Sequence, residues 1–196
     1  NAAGKAHVII NPEDIDEFKE GEILVTAMTA PDWVPAMKKA KAIVTDAGGM
    51  TCHASIVSRE LGIPCIVGTK SRSHEATTSI KDGQMITVDA TNGIVYDGVL
   101  EDIVKKPEAQ ATAGVVAESV PVTGTKIYMN LGDPDLAEKH GVLPCDGIGL
   151  MREEFIWTTF IHEHPLHLIE TGRSDFAVNT LAEGMRKVCQ ALAPRQ

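Results

Sequence analysis

Along the first hundred residues, short apolar runs alternate with polar turns and with stretches whose apolar positions recur at helical spacing. His7–Ile10, Glu22–Thr26, Ala42–Thr45 and Cys65–Thr69 are short and rich in β-branched residues, the pattern of buried strands. Met85–Asp89 and Gly93–Tyr96 flank Ala90-Thr91-Asn92. The Asn92-Gly93 pair there is a strong tight-turn signal, so a β-hairpin is predicted. Between the strands, Asp32–Lys41 carries Val34, Met37 and Ala40 on one helical face, with Pro35 in the first turn, where a missing N–H is tolerated. A second helix is predicted from about Cys52 to Leu61, with Ile56, Val57 and Leu61 on its apolar face. Gly62 follows as a left-handed C-terminal cap. Strands alternating with helices in this way specify an α/β domain.

The pattern changes after that. Residues 106–124 lack sustained periodicity and contain Pro107, Gly114, Pro121 and Gly124, the composition of a linker. Beyond it, Lys126–Leu131 reads as a strand, Pro134–His140 as a short helix and Ile148–Met151 as a second strand. A long helical region then breaks near Pro165 and resumes from about Asp175 to Leu192. The expected organisation is therefore one domain over 1–105, a linker over 106–124 and a second domain over 125–196. Ala-Pro-Arg-Gln follows directly on a helix, and a domain of β–α units would be unfinished there. With Asn-Ala-Ala rather than Met at the start, the expectation is a fragment of a larger protein.

Composition narrows the partners. The chain has 196 residues, with 18 Lys+Arg against 27 Asp+Glu and a formal net charge of −9. Nucleic acids and anionic membranes need clustered basic residues, so neither is expected as a partner. Aromatic residues make up 4%, which leaves the core to aliphatic side chains. No apolar run approaches the length of a membrane span, and no signal-like segment opens the chain. The four cysteines, Cys52, Cys65, Cys145 and Cys189, show no CxxC and no secreted-domain spacing. Reduced thiols and a cytoplasmic location follow as expectations.

Candidate chemistry concentrates in Asp46-Ala47-Gly48-Gly49-Met50-Thr51-Cys52-His53-Ala54-Ser55-Ile56-Val57-Ser58-Arg59-Glu60, between a strand and a helix. Gly48 and Gly49 let backbone approach a bulky group closely. Thr51 occupies the expected N-cap position and His53 the first turn. The open N–H groups and positive dipole end of the helix would therefore face whatever His53 carries. Imidazole is a competent nucleophile near neutral pH. Residue types and spacing thus describe a histidine suited to carrying an anion. Arg59, six positions on, falls on a different face, where charge balance, docking or an ordinary ion pair are all open readings.

Gly48-Gly49-x-Thr51-x-His53 followed by Ala-Ser-Ile-Val-Ser-Arg resembles the phosphohistidine signature of the phosphoenolpyruvate-utilising enzymes, and the likeness runs from Thr29-Ala-Pro-Asp-Trp to Gly68. The resemblance implies a swivelling β/β/α phosphohistidine domain over 1–105, followed by the first β–α units of an incomplete (β/α)8 barrel. His53 is then the phosphoryl carrier. Thr29 matches the family threonine facing that histidine, with a helix cap before Pro31 as the plain alternative, and Thr51, Gly48 and Gly49 would steady the phosphoryl group. Asp146-Gly-Ile-Gly-Leu-Met-Arg-Glu-Glu-Phe155 is similar to the family's barrel segment, so Arg152 would bind the phosphate of phosphoenolpyruvate. The implied activity makes phosphoenolpyruvate from pyruvate, ATP and water, with Mg²⁺ whose ligands lie outside these residues. ATP and pyruvate would be reached through flanking domains, and the piece alone would be inactive. The family's barrel commonly pairs subunits, which leaves room for a homo-oligomer. A branch using phosphate instead of water, and a non-catalytic carrier or assembly module of the same fold, stand as alternatives.

His162-Glu-His164-Pro-Leu-His167 has imidazoles and a carboxylate, but its spacing is not HExxH and Pro165 interrupts helical geometry, so no metal site is expected. Cys52 beside the helix start is read as packing before redox chemistry.

Overall fold

A computed structural model describes residues 1–104, 123–161 and 163–195. They fall into two compact units, the first within Asn1–Ala113 and the second within Gly114–Gln196. Of the expected linker, residues 106–122 lie outside the described residues.

The first unit is built on a six-stranded mixed sheet. Its strands are β1 (Ala2–Val8), β2 (Ile23–Thr26), β3 (Ala42–Thr45), β4 (Cys65–Ile66), β5 (Met85–Asp89) and β6 (Ile94–Asp97), in spatial order β4-β3-β2-β1-β5-β6. The four from β4 to β1 are parallel, with Val8 opposite Val25, Val25 opposite Val44 and Val44 opposite Ile66. β5 runs antiparallel to β1 and forms the predicted hairpin with β6. That turn closes through Gly93 N–H to the Asp89 carbonyl at 2.8 Å and the Asn92 amide to the Asp89 carboxylate at 2.7 Å. The Asn92 side-chain amide, with the Asn92 and Thr91 backbone N–H groups, holds the Asp89 carboxyl below the usual carboxylate range.

Alternation along the strands divides the core. Ala2, Ala6, Ile23, Val25, Ala42, Val44, Ile66, Ile86 and Val88 pack on one face with Ala76 from the short helix Ala76–Ser79. Leu24 and Ile43, fully buried, point to the opposite face. Helix α1 (Val34–Lys39) buries Val34, Ala36 and Met37, and α2 (His53–Leu61) buries Ala54 and Val57. A 3-10 turn, Pro31–Trp33, leads into α1.

Several boundaries differ from the sequence reading. The first strand lies at Ala2–Val8 rather than His7–Ile10. Its alanines and glycine have weak strand preference, but a place between β2 and β5 supplies ladder partners on both edges and overrides it. β4 stops after two residues because Gly68 turns at φ +73°, and Thr69 and Lys70 instead donate to the Thr45 and Asp46 carbonyls. The α2 N-cap is Cys52, not Thr51: Cys52 has extended dihedrals and its N–H is tied to Gly49. The 3-10 turn Pro12–Glu17 and the helices Ala76–Ser79 and Glu101–Val104 had no expectation attached.

The second unit starts with a parallel pair, β7 (Tyr128–Leu131) and β8 (Gly147–Met151), with a bulge between Met129 and Asn130. A 3-10 turn (Pro134–Leu136) and a helix (Ala137–Gly141) connect them. Asp133 caps that turn, accepting from the Asp135 N–H at 3.0 Å. After β8 come the helical turn Glu154–Ile156, a π turn (Trp157–Ile161), a helix at Pro165–Glu170 and the long helix Ser174–Leu192. The long helix buries Ala177, Gly184, Val188 and Leu192, a spacing that keeps one stripe inward. No helix among the described residues is long and apolar enough to cross a membrane.

Candidate functional site

β3 ends at Thr45, and the chain then has to turn from the sheet into α2 within seven residues. Gly48 makes that turn at φ +116°, and a Cβ on it would stand 2.7 Å from Cys52 Sγ. Gly68, after β4, has φ +73°, and a Cβ there would stand 2.8 Å from the Gly48 carbonyl oxygen. Both positions therefore require glycine, for conformation and for space. Gly49 does not: open space surrounds it.

His53 is the first residue of α2 and is half-buried. Its Nδ1 lies 2.9 Å from Oγ1 of Thr29, which is itself buried. Thr29 comes from the segment after β2, so two neighbouring parallel strands deliver the pair to the carboxyl end of the sheet. Ala30, not Thr29, takes the cap position before Pro31, which leaves the Thr29 hydroxyl for the imidazole. With Nδ1 engaged, Nε2 is the other ring nitrogen, and it has less than 1 Å² of accessible surface. An incoming group reaches it only after a local opening.

Thr51 lies on the exposed side of the turn with Gly48 and Gly49, one residue before the cap. Thr29, Gly48, Gly49, Thr51 and His53 thus share one end of the first unit. Arg152 belongs to the second unit, immediately after β8, where its N–H extends the ladder to the Leu131 carbonyl at 3.0 Å. That places it at the carboxyl end of the parallel pair, half-buried.

The support behind the turn was not singled out in the sequence. Asp46, buried, accepts from Thr77 N–H at 3.1 Å, Thr77 Oγ1 at 2.5 Å and Thr69 Oγ1 at 3.4 Å. It fastens the segment after β4 to the end of β3, which keeps Gly68 against Gly48. Asp46 opens the glycine motif, yet nothing local reveals that its partners lie 23 and 31 residues on. Ser55 donates to the Gly49 carbonyl at 2.9 Å, and Arg59 donates to the Met50 carbonyl.

The two thiols near the turn differ. Burial works to raise the Cys52 thiol, but hydrogen bonds from Ser55 and from the Gly49 and Ala54 backbone outweigh it and lower its pKa. Burial pushes the Cys65 thiol up. All four cysteines are free.

Of the histidine-rich stretch, His162 lies outside the described residues. His164 caps the helix that Pro165 begins, its Nδ1 accepting from Leu166 N–H at 3.2 Å, and His167 lies 3.7 Å from Glu163. Among the described residues no three His, Cys, Asp or Glu side chains group as a metal site.

Comparison with known proteins places these features in a family. The model for the PEP-utilising enzyme, mobile domain, matches residues 18–93, and that for the PEP-utilising enzyme, PEP-binding domain, matches 106–196. The probable phosphoenolpyruvate synthase of Staphylothermus marinus is 57% identical over 98% of this chain and 24% of its own length. The phosphoenolpyruvate synthase of Aeropyrum pernix is 49% identical over 99% of this chain and 24% of its own. That of Pyrococcus furiosus is 50% identical, over 98% and 23%. This chain therefore spans about a quarter of the length of the curated relatives it matches. A solution structure of an Enzyme I protein aligns 46% of this chain with 36% of its own, at 29% identity and a TM-score of 0.38, too slight a likeness to argue from. The two matched domains fit the α/β class read from the sequence, a phosphohistidine domain followed by the start of a barrel. The chain belongs to the PEP-utilising enzymes.

Proposed function

We propose that this chain is the phosphoryl-carrying part of an enzyme that makes phosphoenolpyruvate from pyruvate, ATP and water, with His53 as the carrier. The observation that carries the reading is the His53–Thr29 pair at 2.9 Å, at the start of a helix behind a glycine turn. With Nδ1–H donated to the Thr29 hydroxyl, the lone pair sits on Nε2. Nε2 attacks the β-phosphorus of ATP, the bond to the α-phosphate oxygen breaks, and AMP leaves. Water then removes the terminal phosphate, leaving one phosphoryl group on Nε2. The enolate oxygen of pyruvate attacks that phosphorus and the N–P bond breaks, returning the electron pair to the ring. Because Nδ1 keeps its proton against Thr29, the departing imidazole leaves from a cationic ring, a better leaving group than a neutral one. Covalent carriage divides one difficult transfer into easier steps.

Thr51 and the backbone at Gly48 and Gly49 line the side from which the phosphoryl group arrives. Arg152, with its forked guanidinium, binds the phosphate of phosphoenolpyruvate in the second unit. Mg²⁺, whose ligands would lie outside this chain, would neutralise charge on the nucleotide phosphates and on the enolate. Domain limits of 1–105, 106–124 and 125–196, a cytoplasmic location and assembly through the barrel belong to the same proposal.

The test is intact-mass analysis of the full-length enzyme after incubation with ATP. One acid-labile, alkali-stable phosphoryl group is expected, absent from His53→Ala together with phosphoenolpyruvate synthesis. Arg152→Ala is expected to keep the phosphoryl group and lose its transfer to pyruvate. Synthesis retained in folded His53→Ala would end the carrier assignment.

A further inference from the structure

The outer strands of the first unit's sheet are β4 and β6, at opposite ends of the strand order. Ile66 on β4 and Val95 on β6 nonetheless line one cavity of about 440 Å³, so the sheet curls until its two edges face each other. Residues of the 74–80 segment supply one wall. The floor is the apolar core itself: Ile66, Ile86 and Ala76 belong to the buried cluster, and Ile80 and Val95 pack against it. Size and lining of this kind suit a small molecule. Thr29, Thr51 and His53 are not among the lining residues, so the cavity is separate from the carrier site.

Its rim is not what core packing alone would choose. The β5–β6 register sets Val95 opposite Val88 and Asp97 opposite Ile86, so an acid stands at a core-facing position of its strand. The Asp97 carboxylate accepts from Gln84 Nε2 at 2.7 Å, a partner that brings no charge. On the 74–80 wall, Glu75 is offset by Lys70 at 2.5 Å. Among the described lining residues there is one imidazole, His74, and no lysine or arginine. The charge left standing is therefore negative, and a carboxylate can only accept. A phosphate or carboxylate ligand is repelled there, whereas an ammonium group gains charge-assisted hydrogen bonds while an apolar body covers the floor.

The same wall is tied to the histidine turn. Thr69, a lining residue, donates to the Thr45 carbonyl at 3.1 Å and to Asp46 at 3.4 Å. Thr77, between the lining residues Ala76 and Ser79, donates to Asp46 through both N–H and Oγ1. Asp46 begins the turn that leads to His53, so a group that moves the wall also moves that anchorage. We propose that the cavity binds a small molecule with an apolar body and an ammonium group, held by Asp97, and that its occupancy shifts the His53 turn through Asp46. ATP, pyruvate and phosphoenolpyruvate are anions, so the molecule is a regulator and not a substrate of the carrier reaction. The proposal stands whether or not His53 carries a phosphoryl group.

The test titrates the 196-residue chain with three probes that share an indole body: tryptamine, 3-methylindole and indole-3-propionate. Backbone amide and imidazole NMR signals are followed. Tryptamine is expected to shift the Ile66, Ile86, Val95 and Asp97 amides together with the His53 ring signals. 3-Methylindole is expected to bind about tenfold more weakly at the same amides, and indole-3-propionate not to bind. Asp97→Asn, which keeps the volume, should bring tryptamine down to the level of 3-methylindole. Ser79→Trp, from an exposed position, should fill the cavity and abolish both. Thr77→Val should keep tryptamine binding and lose most of the His53 response, and Thr69→Val repeats that reading if Thr77→Val disturbs the wall. Equal binding of the three probes, tryptamine unaffected by Asp97→Asn, or no shifts at the lining amides overturns the site. A His53 response that is absent in the native chain, or unchanged in both threonine variants, overturns the coupling. Phosphoryl uptake in His53→Ala tests the carrier assignment separately, so the failures are distinct.

Discussion

The two units bury apolar surface to different degrees. In the first, a mixed sheet presents apolar residues on both faces, and helices supply partners such as Ala76, Met37, Ala54 and Val57. In the second, the described residues beside a two-stranded sheet and one long helix include a cluster around Leu131, Ala137, Val188 and Leu192, another around Ile161, Leu168 and Ala177, and the buried Phe155 and Ile156. Its surface carries Ile127, Val142, Leu150, Leu166, Ile169 and Val178, each more than half exposed. Small cores leave little margin, because burial scales poorly with size. One unit therefore has the material to hold a site rigidly, whereas the other retains apolar faces open to solvent.

Phe155→Ala gives the largest expected effect. The ring is fully buried in the second unit, and its removal costs about 3–5 kcal/mol. Calorimetry of the whole chain should show the second unit's transition lost or strongly lowered while the first unit's stays in place. Both transitions moving together would show that the two units do not unfold independently. Gly68→Ala comes next, confined to the first unit. Its Cβ would meet the Gly48 carbonyl at 2.8 Å with φ at +73°, for a cost of about 1–3 kcal/mol. The same variant should perturb the His53 ring signals, which a purely local strain would leave alone.

The smallest effect concerns pH. Glu22 lies 2.7 Å from His7 and 3.8 Å from Lys5, ties β1 to β2, and has its carboxyl held low. Burial opposes that shift; the His7 and Lys19 hydrogen bonds outweigh it. A depressed carboxylate stabilises the fold above its unfolded pKa, and that contribution disappears as pH falls through the folded value. Glu22→Gln should therefore lower the first unit's stability modestly at neutral pH, leave it nearly unchanged in acid below the folded value, and so flatten the acid limb. An unchanged acid limb would show the pair to be inert.

What the sequence made legible follows the range of the interactions. The hairpin at Asn92-Gly93, the Gly62 cap, the break at Pro165 and the long C-terminal helix all rest on residues within one or two turns, and each lies where the pattern put it. The strand at Ala2–Val8 was displaced because its stability comes from neighbours some twenty and eighty residues away in sequence. The cap at Cys52 was missed for a related reason: the turn is fixed by Gly68 pressing on Gly48, which no local rule contains. At the site, the glycine-histidine spacing was readable and so was Thr29, through resemblance. The Asp46–Thr69–Thr77 fastening was not, because hydroxyls become partners only when strands bring them together.

Met50 is held by its carbonyl, while its side chain is 84% exposed. Fastening by main chain makes the anchorage indifferent to residue type. Chemistry at position 50 is therefore open to change, in polarity or bulk, without loosening the scaffold beneath it, and so the molecule keeps a tunable surface beside its most constrained turn.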